Sequence, residues 1–291
     1  KLAERELPAG KLGILVAKEP ARQAILARRQ ADQLLAQLRR GESYAELPGT
    51  QVEIARLAEL FDAKAVSILS REKASEKRLD EFRRAGTLKQ FRYLHLATHG
   101  KANNVSAFES ALILTRPKQL PEVRVGEPYL DGRLTAGEVL EYWKLDAELV
   151  TLSACESGLG RRGGGDGLLG FAQSFLMAGS RSVCLTLWQV DDTATVLLMD
   201  RFYHNLLGKG ASGKALGKAA ALREAKQWLR NVKAGEALER LGTLTKGVVR
   251  GERPAREEMQ AVPQPKNARQ DHRPYAHPRY WAAFILIGDP E

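Results

Sequence analysis

Short runs of consecutive apolar residues, set between longer amphipathic stretches, limit this chain to one kind of sheet. Phe91 to Thr98, Ala111 to Thr115, Leu149 to Ala154, Ser182 to Trp188 and Tyr280 to Gly288 are such runs, and so are Gly13 to Ala17 and Ala65 to Leu69. A strand that alternates apolar and polar residues needs one buried face, whereas an unbroken apolar strand needs both faces covered. The intervening segments can supply that cover. Ala21 to Arg40, Pro48 to Phe61, Ser75 to Phe82, Thr135 to Trp143, Leu168 to Ala178, Thr193 to Leu207 and Lys214 to Asn231 carry apolar residues at helical spacing, and Gly41, Gly86, Gly179 and Gly208 punctuate their ends. Strands alternating with helices predict an α/β fold, a mostly parallel sheet with helices on both faces. Residues 232–279, rich in charge and with three prolines between 254 and 265, read as an irregular excursion within a single domain spanning 1–291.

Several function classes are disfavoured. No run approaches the ~18 apolar residues of a membrane span, and the N-terminus lacks a charged-then-apolar signal pattern. The chain begins at Lys1 rather than Met, which reads as part of a longer protein and leaves an upstream targeting segment open. Two cysteines, Cys155 and Cys184, are too few for a disulfide framework and point to a reducing, cytoplasmic compartment. No Cys/His cluster has zinc-ligand spacing. His95 and His99 stand four apart, but a zinc-protease helix needs Glu where this chain has Leu96. The net charge is +10, and residues 201–291 hold 17 Lys and Arg against 9 Asp and Glu. Such a surface could meet nucleic acid or an acidic partner. Without interleaved aromatic residues, solvated helix faces plus a basic loop explain it more simply.

The chemistry-bearing residues sit where such a sheet would use them. Tyr93-Leu-His-Leu-Ala-Thr-His99-Gly100 and Glu148-Leu-Val-Thr-Leu-Ser-Ala-Cys155-Glu-Ser-Gly158 are each an apolar run ending in one reactive residue and then small ones. In open α/β sheets, ligands and reactive residues gather at the carboxyl ends of the strands. A thiol with a free pKa near ~8.5 is mostly protonated at neutral pH and needs a neighbouring imidazole to become a nucleophile. Cys155 with His99 meets that need, against the alternative of an inert buried thiol. Cys184, inside Val183-Cys-Leu-Thr-Leu, reads as core. His95, on the same strand face as Ala97 and His99, reads as a supporting residue and not as the base.

Four motifs in register carry a family resemblance. They are His99-Gly100 after its strand, Leu152-Ser-Ala-Cys155-Glu-Ser-Gly158, Leu187-Trp-Gln-Val-Asp191-Asp192, and the ending Pro274-Tyr-Ala-His-Pro-Arg-Tyr-Trp281-Ala-Ala-Phe-Ile-Leu-Ile-Gly288. Together they resemble the CHAT domain, one of the caspase-like cysteine peptidases alongside separases, metacaspases and gingipains. The resemblance implies a caspase-like sheet and a Cys155–His99 dyad acting on a protein or peptide substrate. It implies an oxyanion hole from the amides of Gly100 and Cys155, and no cofactor or metal. A separase-like Leu-Trp-x-Val-x-Asp stretch implies that Asp192 lies at the base of the S1 pocket and selects Arg or Lys. Asp166 could support that pocket or cap a helix. The same choice between pocket and helix N-cap holds for both Asp191 and Asp192, and one of them can cap while its neighbour binds. CHAT domains often follow tetratricopeptide repeats, which implies regulation by a partner or an upstream region. The family suggests a role in bacterial defence or programmed death. The glycine-rich loop 158–167 carries Arg161-Arg162, a candidate self-cleavage site. Two rival readings stay open: a catalytically silent scaffold that binds a partner protein, and a nucleic-acid-responsive module.

Overall fold

The computed structural model describes residues 44, 47–103, 106–122, 124, 126–154, 166–210, 213–250, 253–254, 259, 262–263 and 272–291. Ser43–Gln119 and Leu130–Glu291 form one compact unit, described below; Leu120–Tyr129 falls with Lys1–Glu42 in a second. In that second unit the described residues of 120–129 hold neither helix nor strand. The expected strand at Gly13 to Ala17, the expected helix at Ala21 to Arg40, Cys155 and the Arg161 loop lie outside the described residues.

The central sheet runs β1 (Tyr93–Ala97), β5 (Leu149–Ser153), β6 (Ser182–Thr186), β9 (Phe284–Gly288). The first three are parallel and β9 closes the edge antiparallel to β6. A second, antiparallel sheet joins β2 (His99–Lys101), β3 (Ala111–Ile113) and β4 (Arg133–Thr135). A short antiparallel pair joins β7 (Val249–Arg250) and β8 (Arg253–Pro254).

Strand period divides the core into two halves, as alternate side chains on a strand face opposite ways. Leu149, Cys184 and Phe284 join one apolar cluster, while Val150, Leu152, Val183 and Leu185 join the other. On the first side pack α1 (Pro48–Ala58), α5 (Asp192–Leu206), α6 (Lys218–Asn231) and α7 (Ala234–Thr245), through residues such as Val52, Leu197, Leu222 and Leu241. On the second pack α2 (Glu76–Arg84), α3 (Ala136–Tyr142) and α4 (Asp166–Ala178), through Leu79, Val139 and Phe175. The expected caspase-like α/β sheet, mostly parallel and covered on both faces, is the one observed. β5 and β6 are buried along their whole length, which explains their unbroken apolar sequence.

Local signals set the boundaries. Ser75 accepts the Arg78 N–H and starts α2, and Thr135 with Glu138 forms a reciprocal capping box for α3. Gly179 ends α4 at φ 113°, where an added Cβ would stand 2.2 Å from the Leu145 carbonyl oxygen. No other residue fits there.

Two expectations fail. Ala65 to Leu69 is not a strand: a 3-10 turn covers Ala63–Ala65, and the chain after it is largely exposed, with Ile68 49 % accessible. An apolar run becomes a strand only where a partner edge accepts it, and among the described residues none does. Residues 232–279 are not irregular throughout, because α7 occupies Ala234–Thr245. Ala237, Leu241 and Leu244 form its buried stripe; the later prolines and charges mask that spacing.

One buried acid couples stability to pH. Glu76, 4 % exposed, accepts the backbone N–H groups of Gly132 and Arg133 through Oε2. Burial, reinforced by the nearby Glu138 and Asp131, pushes its pKa well above the usual carboxylate range, against the pull of those two amides. A group whose folded pKa is raised contributes stability that is full below its unfolded pKa and lost as pH rises through the folded one. Glu76→Gln keeps the acceptor and removes the charge. Its unfolding free energy should exceed that of the wild type by an amount that grows from acid to neutral pH, reaching on the order of 1–3 kcal/mol. Urea titrations at several pH values measure it; a difference constant with pH would refute the assignment.

Candidate active site

β1 and β5 lie side by side, parallel and in register from Tyr93↔Leu149 to Ala97↔Ser153. In the sequence, His99 and Cys155 each follow the Ala97–Ser153 pair by two positions. After β1 the chain changes sheets: it leaves the central one after Ala97, and His99 opens β2, opposite Ile113 of β3. The Thr98 hydroxyl donates to the Ile113 carbonyl and anchors that crossing. His99 is therefore held by a second sheet and not by a free strand end. Its ring lies 5.5 Å from that of Tyr44, centroid to centroid. Gly100 follows in β2 opposite Leu112. On the neighbouring strand, the chain is described as far as Ala154, whose carbonyl accepts the Thr186 hydroxyl at 3.0 Å.

The two aspartates after β6 have different surroundings. Asp191 is the N-cap of α5, its carboxylate accepting the Ala194 N–H at 2.9 Å. Asp192 is the first helical residue and points elsewhere: Oδ2 accepts the Gly49 N–H at 3.3 Å, from the start of α1. A Cβ on residue 49 would stand 3.1 Å from that of Asp192, so glycine permits this close approach. Burial pushes the Asp192 carboxyl up from its ordinary pKa; the Gly49 N–H opposes this, Asp191 and Glu53 add to it as like charges, and His99 is close enough to pull it back in part. Asp191 is likewise raised by burial, against its cap amides and Arg279. Asp166 opens α4. The structure thus brings Asp192 near His99 and leaves Asp191 engaged in capping.

A group of residues that sequence reasoning missed sits under this end of the sheet. Glu53 of α1 contacts His95 and Ser153, and Tyr203 of α5 contacts His95 and Thr151. A signal was present, because Gly49, Glu53 and Leu57 share one buried face of α1. An acid at the centre of a buried helical stripe requires a partner. Cys184 is inert: it is 0 % exposed and burial pushes its thiol up to about 12.

The fold and the paired strand ends define a caspase-like α/β protein. A family model for the CHAT domain matches residues 7–289, and the chain belongs to that family. It is similar to tetratricopeptide repeat protein 28 of Mus musculus, 31 % identical over 160 residues, covering 45 % of this chain and 6 % of that protein. The human protein of the same name is 26 % identical over 229 residues, 69 % of this chain and 7 % of its own length. The chain therefore spans a small part of these relatives. Among the described residues no helix is long and apolar enough to cross a membrane.

Proposed function

We propose that this chain is a cysteine endopeptidase that cuts peptide bonds through Cys155 and His99, after Arg or Lys. The observation that carries the proposal is the register of β1 with β5. Ala97 and Ser153 end two neighbouring parallel strands at the same side of the sheet, the end where such sheets hold their reactive groups, and in the sequence His99 and Cys155 each follow two positions later.

In the proposed reaction His99 takes the Cys155 proton as the sulfur attacks the scissile carbonyl. It then returns a proton to the leaving amine, which departs and leaves a thioester. Water, deprotonated by His99, attacks the thioester and releases the acid and the free thiol. The oxyanion formed in each half is assigned to the amides of Gly100 and Cys155; one such donor is worth about 2.7–4 kcal/mol. Asp192, partly buried and electrostatically close to His99, supports the S1 assignment, because a carboxylate in a desolvated pocket rewards a cationic P1 side chain. Asp166 is assigned a supporting place near it, and Asp191 the cap. Regulation by a partner or upstream region, and a cytoplasmic location, complete the proposal; the similarity to proteins named for tetratricopeptide repeats supports the first.

Cleavage of a random peptide library by the wild type, with Cys155→Ala as control, tests this. Basic residues should be enriched before the cut, and the variant should leave the library whole. Identical profiles from the two proteins would refute the protease and favour a binding scaffold.

A further inference from the structure

Beneath the paired strand ends lies a ring of polar side chains drawn from four elements, all buried except the partly buried His95. Glu53 is 4 % exposed, and its two oxygens serve different strands. Oε1 lies 2.8 Å from His95 Nε2 on β1, and Oε2 accepts the Ser153 hydroxyl of β5 at 3.1 Å. His95 Nδ1 lies 3.1 Å from the Tyr203 hydroxyl, which lies 2.8 Å from Thr151 Oγ1 on β5. His95 and Thr151 are register partners, so β5 closes the ring. Burial drives the Tyr203 pKa upward, and its phenol keeps its proton throughout the neutral range.

An apolar cluster of equal volume would stabilise this position at least as well, because desolvating a carboxylate and an imidazole is costly. Stability is therefore a poor reason for the ring, and its position suggests another. Ser153 precedes Cys155 by two residues, and His95 precedes His99 by four. Ladder hydrogen bonds fix which residues pair. They do not fix the last ångström between side chains that follow the paired residues. Proton transfer requires heavy atoms about 2.6–3.2 Å apart, and a misplacement of about 1 Å can cost ~100-fold in rate.

Resting on the assignment of Cys155 and His99 as the reacting pair, we infer that Glu53 is a positioning residue that clamps the two strands from α1 and sets the spacing of thiol and imidazole. It touches neither substrate nor reacting atoms. It acts through Ser153 on β5 and His95 on β1, and α1 also holds Asp192 through the Gly49 N–H.

The test uses Glu53→Ala and Glu53→Gln in the whole chain, with two readouts. One is kcat and KM on a peptide cut by the wild type. The other is the rate of Cys155 alkylation by iodoacetamide across about pH 5–9; the buried Cys184, with its thiol pushed up to about 12, stays silent. Glu53→Ala should lower kcat about 10–100-fold, leave KM within about threefold, and move the alkylation midpoint toward that of a free thiol near ~8.5. Glu53→Gln can still accept from His95 and can donate to Ser153, so it should recover most of kcat. A folded Glu53→Ala with the wild-type kcat and midpoint overturns the inference. So does a loss that only tracks the unfolded fraction, or a Glu53→Gln as impaired as the alanine. Should Glu53→Ala not fold, Ser153→Ala removes the β5 half of the clamp alone, and an unchanged midpoint there is equally fatal. A wild type without Cys155-dependent hydrolysis sinks the protease reading separately; the alkylation midpoints still decide the role of Glu53.

Discussion

His99→Ala is expected to lower kcat for peptide hydrolysis by about 10²–10⁴-fold, the usual worth of a positioned general base, with KM little changed. The imidazole would be lost from both halves of the reaction, thioester formation and hydrolysis. A thiol without its base reacts only as its own ionisation allows, so the residual rate should climb with pH toward ~8.5. The wild-type rate should level off well below that. His99 sits at the start of β2, only partly buried, and its truncation should leave thermal unfolding almost in place. Steady-state kinetics over pH, beside a melting curve, separate loss of base from loss of fold. An unchanged kcat would remove His99 from the mechanism.

The second large effect is on specificity. Asp192→Asn should lower kcat/KM for substrates with Arg or Lys at P1 by about 10–100-fold, because a hydrogen bond to a charged group contributes roughly 1.5–3 kcal/mol. Substrates with an uncharged P1 should be nearly unaffected. The amide oxygen of Asn can still accept the Gly49 N–H that Asp192 accepts at 3.3 Å, so the start of α1 keeps its partner. Stability should not fall. Burial raises the Asp192 pKa, so its ionised form is penalised in the folded protein at neutral pH, and the neutral amide removes that penalty. The same direction predicts a pH signature: KM for basic substrates should rise as pH falls through the raised pKa, sooner than for an ordinary carboxylate, and Asp192→Asn should lose that limb. Equal losses for basic and neutral substrates would show that Asp192 does not read P1.

Much of the architecture is legible in the amino-acid sequence. The unbroken runs of β5 and β6 announce strands buried on both faces, and Ser75 and Thr135 announce helix starts. These signals are local: a cap, a turn glycine or an apolar period depends on residues within a few positions of one another. Ala65 to Leu69 misleads for the same reason. Its composition suits a strand, but pairing is a property of the neighbouring edge. α7 is hidden by the charged, proline-rich sequence that follows it, although its own stripe is intact.

The site divides in the same way. Sequence alone determined the family, the ends of the two apolar runs at His99 and Cys155, and the core character of Cys184, because each rests on order along one chain. Only the tertiary structure decided that β1 and β5 are neighbours in register, that Asp191 caps while Asp192 turns toward Gly49, and that Glu53 bridges His95 and Ser153. Those contacts join residues separated by 42, 100 and 143 positions. A hydrogen bond depends on distance in space, and that distance exists only once the helices have packed on the sheet.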